Sequence, residues 1–153
     1  MNKINIIDYQ PQYKDDFTRL SLEWLNAFDL YEEADGPIVY HPQEAILDKG
    51  GMIFFAQLDH EIVGTASLKP IGDNTYELMK LAVNKNNQGQ GIGRLLVEHC
   101  LKKARELQVK KIMLESSTKL VGAIRLYKKL GFQEVKTTDY QYTLSDFRME
   151  LWL

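Results

Sequence analysis

Residues 87–94 (NQGQGIGR) constrain the fold more than any other part of the chain, because three glycines stand directly before a helical pattern. Glycine accepts a positive φ without strain, but it costs about 1 kcal/mol of helix propensity per residue. A strand pattern (YELMKLAVN) precedes the segment over 76–84, and a helix pattern follows over 91–107. Strand, glycine loop and helix N-terminus together direct backbone N–H groups at one point. This arrangement predicts an anion site suited to a diphosphate.

Two common nucleotide-binding glycine patterns do not fit this segment. A Walker loop or a dinucleotide fingerprint beginning at Gly89 requires glycine where the chain has Arg94, and a fingerprint beginning at Gly91 requires it at Leu96. The pattern that remains is Gln88-x-x-Gly91-x-Gly93. Arg94 could add a positive charge against a further phosphate. A glycine-rich turn that serves only chain reversal is the alternative.

The rest of the chain alternates strand and helix patterns. Strand patterns cover 3–8, 52–58, 62–71, 76–84 and 111–116, with FQEV and FRMELWL completing the set. Helix patterns cover 91–107, 119–130, a short helix from Pro42, and a stripe of Phe17, Leu20, Trp24, Phe28 and Tyr31. This order predicts an α/β fold with a mixed sheet of six or seven strands, locally parallel towards the C-terminus, flanked by about four helices.

Composition predicts one domain over 1–153, because 44% of the 153 residues are hydrophobic and 26% are charged. The net charge of −2 argues against nucleic-acid binding. One cysteine, Cys100, fits a reducing compartment, and no apolar run reaches membrane length or forms a signal peptide. The three histidines (His41, His60 and His99) show no metal spacing. We therefore expect a cytoplasmic monomer or homodimer with no metal, nucleic-acid or membrane partner.

Two motifs carry a resemblance to a known family. The strand YELMKLAV followed by QGQGIG, and the later segment AIRLYKKLGF at 123–132, resemble the GNAT superfamily of acetyl-CoA-dependent N-acyltransferases over about residues 52–135. The resemblance implies acetyl-CoA as cofactor, bound in a cleft where the fourth strand splays from the fifth. It also implies direct acetyl transfer to a primary amine of a small molecule or peptide. The alternative is a non-catalytic acyl-CoA-binding sensor or interaction module with the same fold.

The resemblance assigns cofactor contacts residue by residue. Backbone groups of Leu81, Ala82 and Val83 would bind the pantetheine arm, and an N–H near Ala82 or Val83 would polarise the acyl oxygen. Where the family often has Asn, this chain has Ser117, or Leu120 under the other alignment. The remaining predicted cofactor contacts are Gln88, Gly89, Gln90, Gly91, Ile92, Gly93 and Arg94 at the diphosphate, with Ala123, Leu126 and Lys129 on the last helix.

Two side chains are candidates for proton transfer. Tyr127 is the predicted acid, because such enzymes often keep their acid at this tyrosine; a core tyrosine is the alternative. Glu77 is the predicted base, since counting by twos puts it on one strand face with Met79, Leu81 and Val83, where burial raises a carboxylate pKa. A strand-end Glu that pairs with Lys, or lies exposed at the rim, is the alternative. Glu32, Glu33 and Asp35 are the reserve candidates for the base.

The resemblance also implies that the acceptor binds against the first two helices and the hairpin, which points to the segment around 24–40. Trp24, Phe28, Tyr31 and Glu32 are its candidate residues, because aromatic rings beside carboxylates suit a protonated amine. The alternative is that about half of these aromatic side chains belong to the core.

Overall fold

The structure is a computed structural model that describes residues 3–153. Its strands are β1 (Ile4–Asp8), β2 (Met52–Leu58), β3 (Glu61–Gly72), β4 (Thr75–Val83), β5 (Lys111–Ser116), β6 (Gln133–Glu134) and β7 (Phe147–Trp152). Its helices are α1 (Lys14–Ala27), α2 (Gly36–Tyr40), α3 (Pro42–Ala45), α4 (Ile92–Glu106) and α5 (Val121–Lys129). The predicted mixed sheet with flanking helices is confirmed.

One seven-stranded sheet, in the order β1-β2-β3-β4-β5-β7-β6, runs through the described residues. All neighbouring strands are antiparallel except β4 and β5. These two strands pair only where Thr75, Tyr76 and Glu77 face 111–113. Beyond Glu77 they diverge, which leaves β4 and β5 without a shared ladder over the second half of β4. The predicted splay between the fourth and fifth strands is therefore present.

A bulge in β4 changes which side chains face which side of the sheet. Ser67 pairs with Met79 whereas Thr65 pairs with Ala82, so β4 carries one extra residue, and Lys80 there has a φ of 54°. Side chains alternate with a period of two, so an extra residue reverses the alternation. The prediction that Glu77, Met79, Leu81 and Val83 share one face is therefore wrong. Met79 packs in the core on the α1 side, and Glu77, two residues before it, shares that face by alternation, whereas Leu81 and Val83 pack against the core on the α4 side.

The two faces of the sheet bury separate cores. On one face α4 contributes the buried side chains of Ile92, Leu96 and Cys100. On the other face α1 contributes Phe17 and Leu20. Polar contacts fasten α1 to the loop after β4, because the Glu23 carboxylate accepts the Lys85 N–H (2.8 Å). This attachment sets α1 beside the splay.

Helix α1 ends earlier than its apolar stripe predicts. Asp29 has a φ of 54°, and the Leu30 N–H donates to the Leu25 carbonyl (2.8 Å), a closure typical of a helix C-terminus. Phe28 and Tyr31 consequently lie beyond the helix, each 38% exposed. Helix α5 likewise begins at Val121 and not at residue 119, because the chain before it forms a turn in which the Leu120 N–H donates to the Ser117 carbonyl (2.9 Å).

Candidate active site

The loop before α4 presents unpaired backbone N–H groups to open space. Gly89 and Gly91 have left-handed φ values of 79° and 80°, and a Cβ at either position would meet no atom within 4 Å. The first hydrogen bond of α4 runs from the Leu95 N–H to the Gly91 carbonyl, and within residues 3–153 no acceptor takes the N–H groups of 89–94. Bare amides at a helix N-terminus favour a bound anion. Glycine serves this loop through its backbone conformation and through the space it leaves free.

This loop forms one wall of a cleft that we call the glycine groove. The opposite walls are the end of β4, the end of α1 and the start of α5, which enclose the space left by the splay. Its lining residues are Trp24, Phe28, Leu81, Ala82, Val83, Asn87, Gln88, Gly89, Gly91, Ile92, Gly93, Lys119, Leu120, Val121, Gly122, Ala123 and Leu126.

A second cavity, which we call the carboxylate pocket, lies on the other side of the splay. It is built by segments that are distant in sequence: the end of α1, the chain over 30–35, β4, β5 with the following turn, α5 at Tyr127, and the loop before β7. Its ionisable side chains are Glu32, Asp35, Glu77, Lys80, Glu115, Tyr127 and Tyr142. Its apolar wall consists of Trp24, Leu25, Leu30, Leu78, Met79, Leu81, Leu120 and Leu144, beside the hydroxyls of Ser116, Ser117 and Ser145.

The Glu77 carboxyl has a pKa well above the usual value for a glutamate. Glu77 is 3% exposed. Burial, and to a lesser extent the charge of Glu115, raises the pKa of its carboxyl group to about 7. The ammonium groups of Lys80 and Lys69 and the nearby Gln141 amide act in the opposite direction. A carboxylate with a pKa near 7 both accepts and releases a proton at neutral pH.

The Tyr127 hydroxyl is held in its protonated form. Helix α5 places its ring in the wall of the carboxylate pocket, where burial and then the neighbouring Cys100 raise the hydroxyl pKa above its usual value. Glu77 and Tyr127 therefore line one cavity although 50 positions separate them in the sequence. A carboxyl group with a raised pKa and a protonated hydroxyl group therefore belong to residues of one cavity wall.

The groove and the pocket meet. Trp24, Leu81 and Leu120 line both cavities, so these three side chains form the boundary between the glycine groove and the space lined by Glu77 and Tyr127. The glycine loop and the Glu77–Tyr127 pair thus lie on two adjacent cavities.

Residues 14–132 match the model of the Acetyltransferase (GNAT) family. The chain belongs to this family. The cofactor of GNAT acetyltransferases is acetyl-CoA, whose diphosphate is an anion of the kind that the amides of the glycine groove favour.

Individual relatives agree with this assignment. The chain is 36% identical to rat N-acetyltransferase 8B over 98 residues, which are 61% of this chain and 43% of the rat protein, so it spans less than half of that relative's length. It is 28% identical over 137 residues to an uncharacterized N-acetyltransferase of Schizosaccharomyces pombe, covering 86% of this chain and 82% of the yeast protein.

Solved structures share the fold over the whole chain. A GNAT-family acetyltransferase from Staphylococcus aureus Mu50 has a TM-score of 0.90 at 25% identity, covering 98% of this chain and 99% of that one. The PaiA N-acetyltransferase of Thermoplasma acidophilum, solved in complex with coenzyme A, has a TM-score of 0.77 at 20% identity, covering 99% of each chain. At 20% identity, the likeness to the Thermoplasma protein shows a shared fold and nothing more.

Most of the predicted cofactor residues of this GNAT domain lie in the glycine groove. Leu81, Ala82, Val83, Gln88, Gly89, Gly91, Ile92, Gly93, Ala123 and Leu126 line it. Four do not. The exposed Gln90 lies outside the lining, and Arg94 forms an ion pair with Glu98 (3.4 Å). Ser117 lines the carboxylate pocket, and Lys129 lies on the outer surface of α5.

The predicted acceptor residues do not all lie in one cavity. Trp24 lines both, Glu32 lines the carboxylate pocket, and Phe28 lines the glycine groove. Tyr31 lines neither cavity, because α1 ends before it. Its hydroxyl instead lies beside Gly36, where it is 3.3 Å from the position of an added Cβ.

Sequence reasoning missed several side chains that shape the pocket. Lys80 forms a buried ion pair with Asp35 (2.7 Å), and its ammonium is 5.0 Å from the centre of the Tyr142 ring. The Glu32 carboxylate accepts the N–H groups of Thr143 and Leu144, both at 2.9 Å. The charged Lys80 in the middle of an apolar strand pattern was the available signal, because a charge is buried only with a partner.

The described residues also bear on metal-binding groups and membrane-spanning helices. Within residues 3–153, no group of three or more His, Cys, Asp or Glu side chains could hold a metal ion. Among the helices of that part of the chain, none is long and apolar enough to cross a membrane.

Proposed function

We propose that this chain transfers an acetyl group from acetyl-CoA directly to a primary amine, in a ternary complex without a covalent enzyme intermediate. The observation that carries the proposal is the junction of the two cavities at Trp24, Leu81 and Leu120, with Glu77 and Tyr127 just beyond it. When bound, acetyl-CoA supplies an acetyl thioester, whose C–S bond breaks as the amine nitrogen forms its bond to the acetyl carbon.

The chain's main-chain groups hold the cofactor in this proposal. The N–H groups of 89–94 bind the diphosphate, and Gly89 and Gly91 leave their approach open. The end of β4 lies in the groove without a strand partner on its β5 side, so backbone groups at Leu81 and Val83 are placed to bind the pantetheine amides. Trp24 and Phe28 line the same groove.

Glu77 removes a proton from the acceptor in this proposal. An amine reaches the site as an ammonium ion and becomes nucleophilic only after it loses a proton. The Glu77 carboxylate takes this proton at one of its Oε atoms, directly or through a water, because its raised pKa of about 7 matches neutral pH.

Tyr127 donates a proton in the same reaction. Its Oη gives a proton to the departing thiolate, so the charge does not build up on sulfur, and the second proton that the nitrogen loses as the amide forms restores the Tyr127 hydroxyl. Because burial keeps the hydroxyl protonated, Tyr127 is available as an acid throughout the pH range in which Glu77 ionises.

Thiol release from acetyl-CoA across a panel of primary amines tests the proposal. We expect release to depend on the amine, with acetylated amine formed in equal amount. Coenzyme A binding without amine-stimulated release for any member of the panel would favour the non-catalytic acyl-CoA-binding module instead.

A further inference from the structure

The carboxylate pocket contains more negative than positive charge. Four carboxylates line it (Glu32, Asp35, Glu77 and Glu115) and one ammonium, that of Lys80. Lys80 is already engaged, because its Nζ is 2.7 Å from Asp35 Oδ1 and both side chains are at most 5% exposed. Among residues 3–153, no cation in the wall is therefore free to bind a carboxylate of the acceptor.

Neutral groups satisfy two of the remaining carboxylates without cancelling their charge. Glu32 accepts the N–H groups of Thr143 and Leu144, and Glu115 accepts the Gln141 N–H at 2.9 Å. Backbone amides stabilise a carboxylate through hydrogen bonds but bring no net charge. The pocket therefore keeps an excess of negative charge in its folded arrangement.

The Glu77 carboxylate is a further carboxylate of the pocket without an ion pair. It is 3% exposed, it lines the pocket, and within residues 3–153 it forms no ion pair. Burial and then the charge of Glu115 raise its pKa to about 7, against the opposing effect of Lys80 and Lys69. After Glu77 has taken a proton from the amine, the acceptor nitrogen is neutral and Glu32 and Glu115 still lack a cationic partner.

The apolar part of the wall restricts the acceptor further. Leu25, Leu30 and Leu144 offer surface to methylene groups, and the Tyr142 ring faces the Lys80 ammonium. A flexible aliphatic chain with a charged group at each end matches apolar sides between carboxylates.

We propose that the acceptor is an aliphatic diamine or polyamine without a carboxylate, of which one nitrogen is acetylated while a second, still charged, lies near Glu32 and Glu115. This inference rests on the proposed function, since it names the substrate class of the same site. An amino acid is excluded as a good acceptor because its carboxylate would enter a negative pocket whose one ammonium is already paired.

Three matched amines test the proposal kinetically. 1,4-Diaminobutane ends in a second ammonium group. n-Pentylamine has a methyl group at that end of a chain of the same length, and 4-aminobutanoate ends in a carboxylate. We expect kcat/KM to be about tenfold or more higher for the diamine than for pentylamine, the scale of one hydrogen bond to a charged group. The aminobutanoate should be the poorest. Equal or better turnover of pentylamine or aminobutanoate would overturn the proposal.

A matched pair of variants tests whether the diamine preference arises in the carboxylate pocket. Glu115→Gln keeps the shape and an oxygen acceptor for the Gln141 N–H but removes one charge from the pocket. Glu61→Gln removes one charge from the exposed start of β3 and leaves the pocket unchanged. We expect the diamine preference to fall several-fold, by about fivefold or more, in Glu115→Gln and to persist in Glu61→Gln. An unchanged preference in Glu115→Gln contradicts the assignment.

A binding measurement separates this proposal from the proposed function. In the absence of acetyl-CoA, 1,4-diaminobutane should raise the melting temperature of the wild type more than pentylamine does, and Glu115→Gln should lose that difference. If no amine is acetylated but this difference is present, the proposed function fails and the charge preference holds. If amines are acetylated and the melting temperatures do not differ, the charge preference fails alone. The Glu115→Gln protein should retain its stabilisation by coenzyme A, which shows that it is folded.

Discussion

The glycine groove and the carboxylate pocket differ in what they are made of. One wall of the groove is a continuous segment, 89–94, whose main-chain N–H groups have no acceptor within residues 3–153. Side chains from several distant segments provide the pocket, tied by bonds such as Lys80–Asp35 and Glu32–Thr143. A backbone site depends on space and φ, whereas a side-chain site depends on charge and protonation. Substitutions should therefore affect the two regions through different quantities: coenzyme A affinity in the groove, and turnover or stability in the pocket.

The largest effect is expected from Tyr127→Phe, which removes one hydroxyl from the pocket and keeps the ring. If Tyr127 Oη protonates the thiolate, turnover should fall by about 10²–10⁴, the usual range for one acid–base group. Coenzyme A should still raise the melting temperature, because Tyr127 lies outside the lining of the glycine groove. Tyr40→Phe, at a residue 44% exposed, is the matched control. Equal turnover in wild type and Tyr127→Phe would make Tyr127 a core residue only.

Lys80→Met tests whether the pocket depends on paired charges. The change leaves the Asp35 carboxylate buried without its partner, and breaking a buried pair in this way costs about 3–5 kcal/mol of unfolding free energy. Urea unfolding measures the loss, with Lys102→Met on the exposed face of α4 as control. A loss no larger than that of the control would mean that the pair contributes nothing to the fold. Adding Asp35→Asn should recover part of the loss, because the two changes share one interaction.

The difference between a groove built by one local segment and a pocket built by distant segments explains which parts of the site could be predicted from the sequence. The glycine groove follows from local features, since a strand, a glycine loop and a helix lie within about 30 consecutive residues, and most of its predicted residues line it. The pocket depends on contacts such as Glu32 with Thr143, 111 positions away, which no local pattern encodes. The alternation of apolar and polar residues in β4 also could not predict the bulge at Lys80. One inserted residue moves every later side chain of the strand to the opposite face of the sheet.

Glu77→Gln should separate protonation from shape in the pocket. For the wild type, kcat/KM should rise with pH through a limb near pH 7, because below it the Glu77 carboxyl is protonated and cannot accept a proton. The variant should lose this limb, and its plateau should be about a hundredfold lower, a small loss for a base that acts through water. Glu61→Gln should keep both limb and plateau. A Glu77→Gln profile that also keeps both would redirect the search to Glu32, Glu33 or Asp35.

Gly93→Leu tests the groove through space alone. Gly93 lies in α4 without a positive φ, and a Cβ there would be 3.7 Å from Leu126 Cδ2, an ordinary van der Waals contact, so the rest of a leucine side chain should extend into the groove that Gly93 lines. At a hundred times its dissociation constant coenzyme A adds about 2.7 kcal/mol of stability, a rise of roughly 5–10 °C in melting temperature. We expect Gly93→Leu to abolish this rise and Lys102→Ala to keep it. A full rise in Gly93→Leu would place coenzyme A elsewhere.

The smallest effect is expected from Ser117→Ala, at the boundary between the two regions. The family resemblance places either Ser117 or Leu120 where many relatives have a cofactor-binding Asn, and the two cavities separate these alternatives. Leu120 lines the groove and the pocket, whereas Ser117 lines the pocket alone, where its Oγ accepts the Lys119 N–H (3.2 Å).

Removing the Ser117 hydroxyl should therefore cost about 1 kcal/mol of stability for that lost hydrogen bond. The rise in melting temperature produced by coenzyme A should stay the same as in the wild type, measured at equal ligand concentration. Leu120→Ala, which opens the junction, should reduce it. If Ser117→Ala loses the coenzyme A rise and Leu120→Ala keeps it, Ser117 takes the place of the family's Asn, and the groove extends further into the carboxylate pocket than its lining indicates.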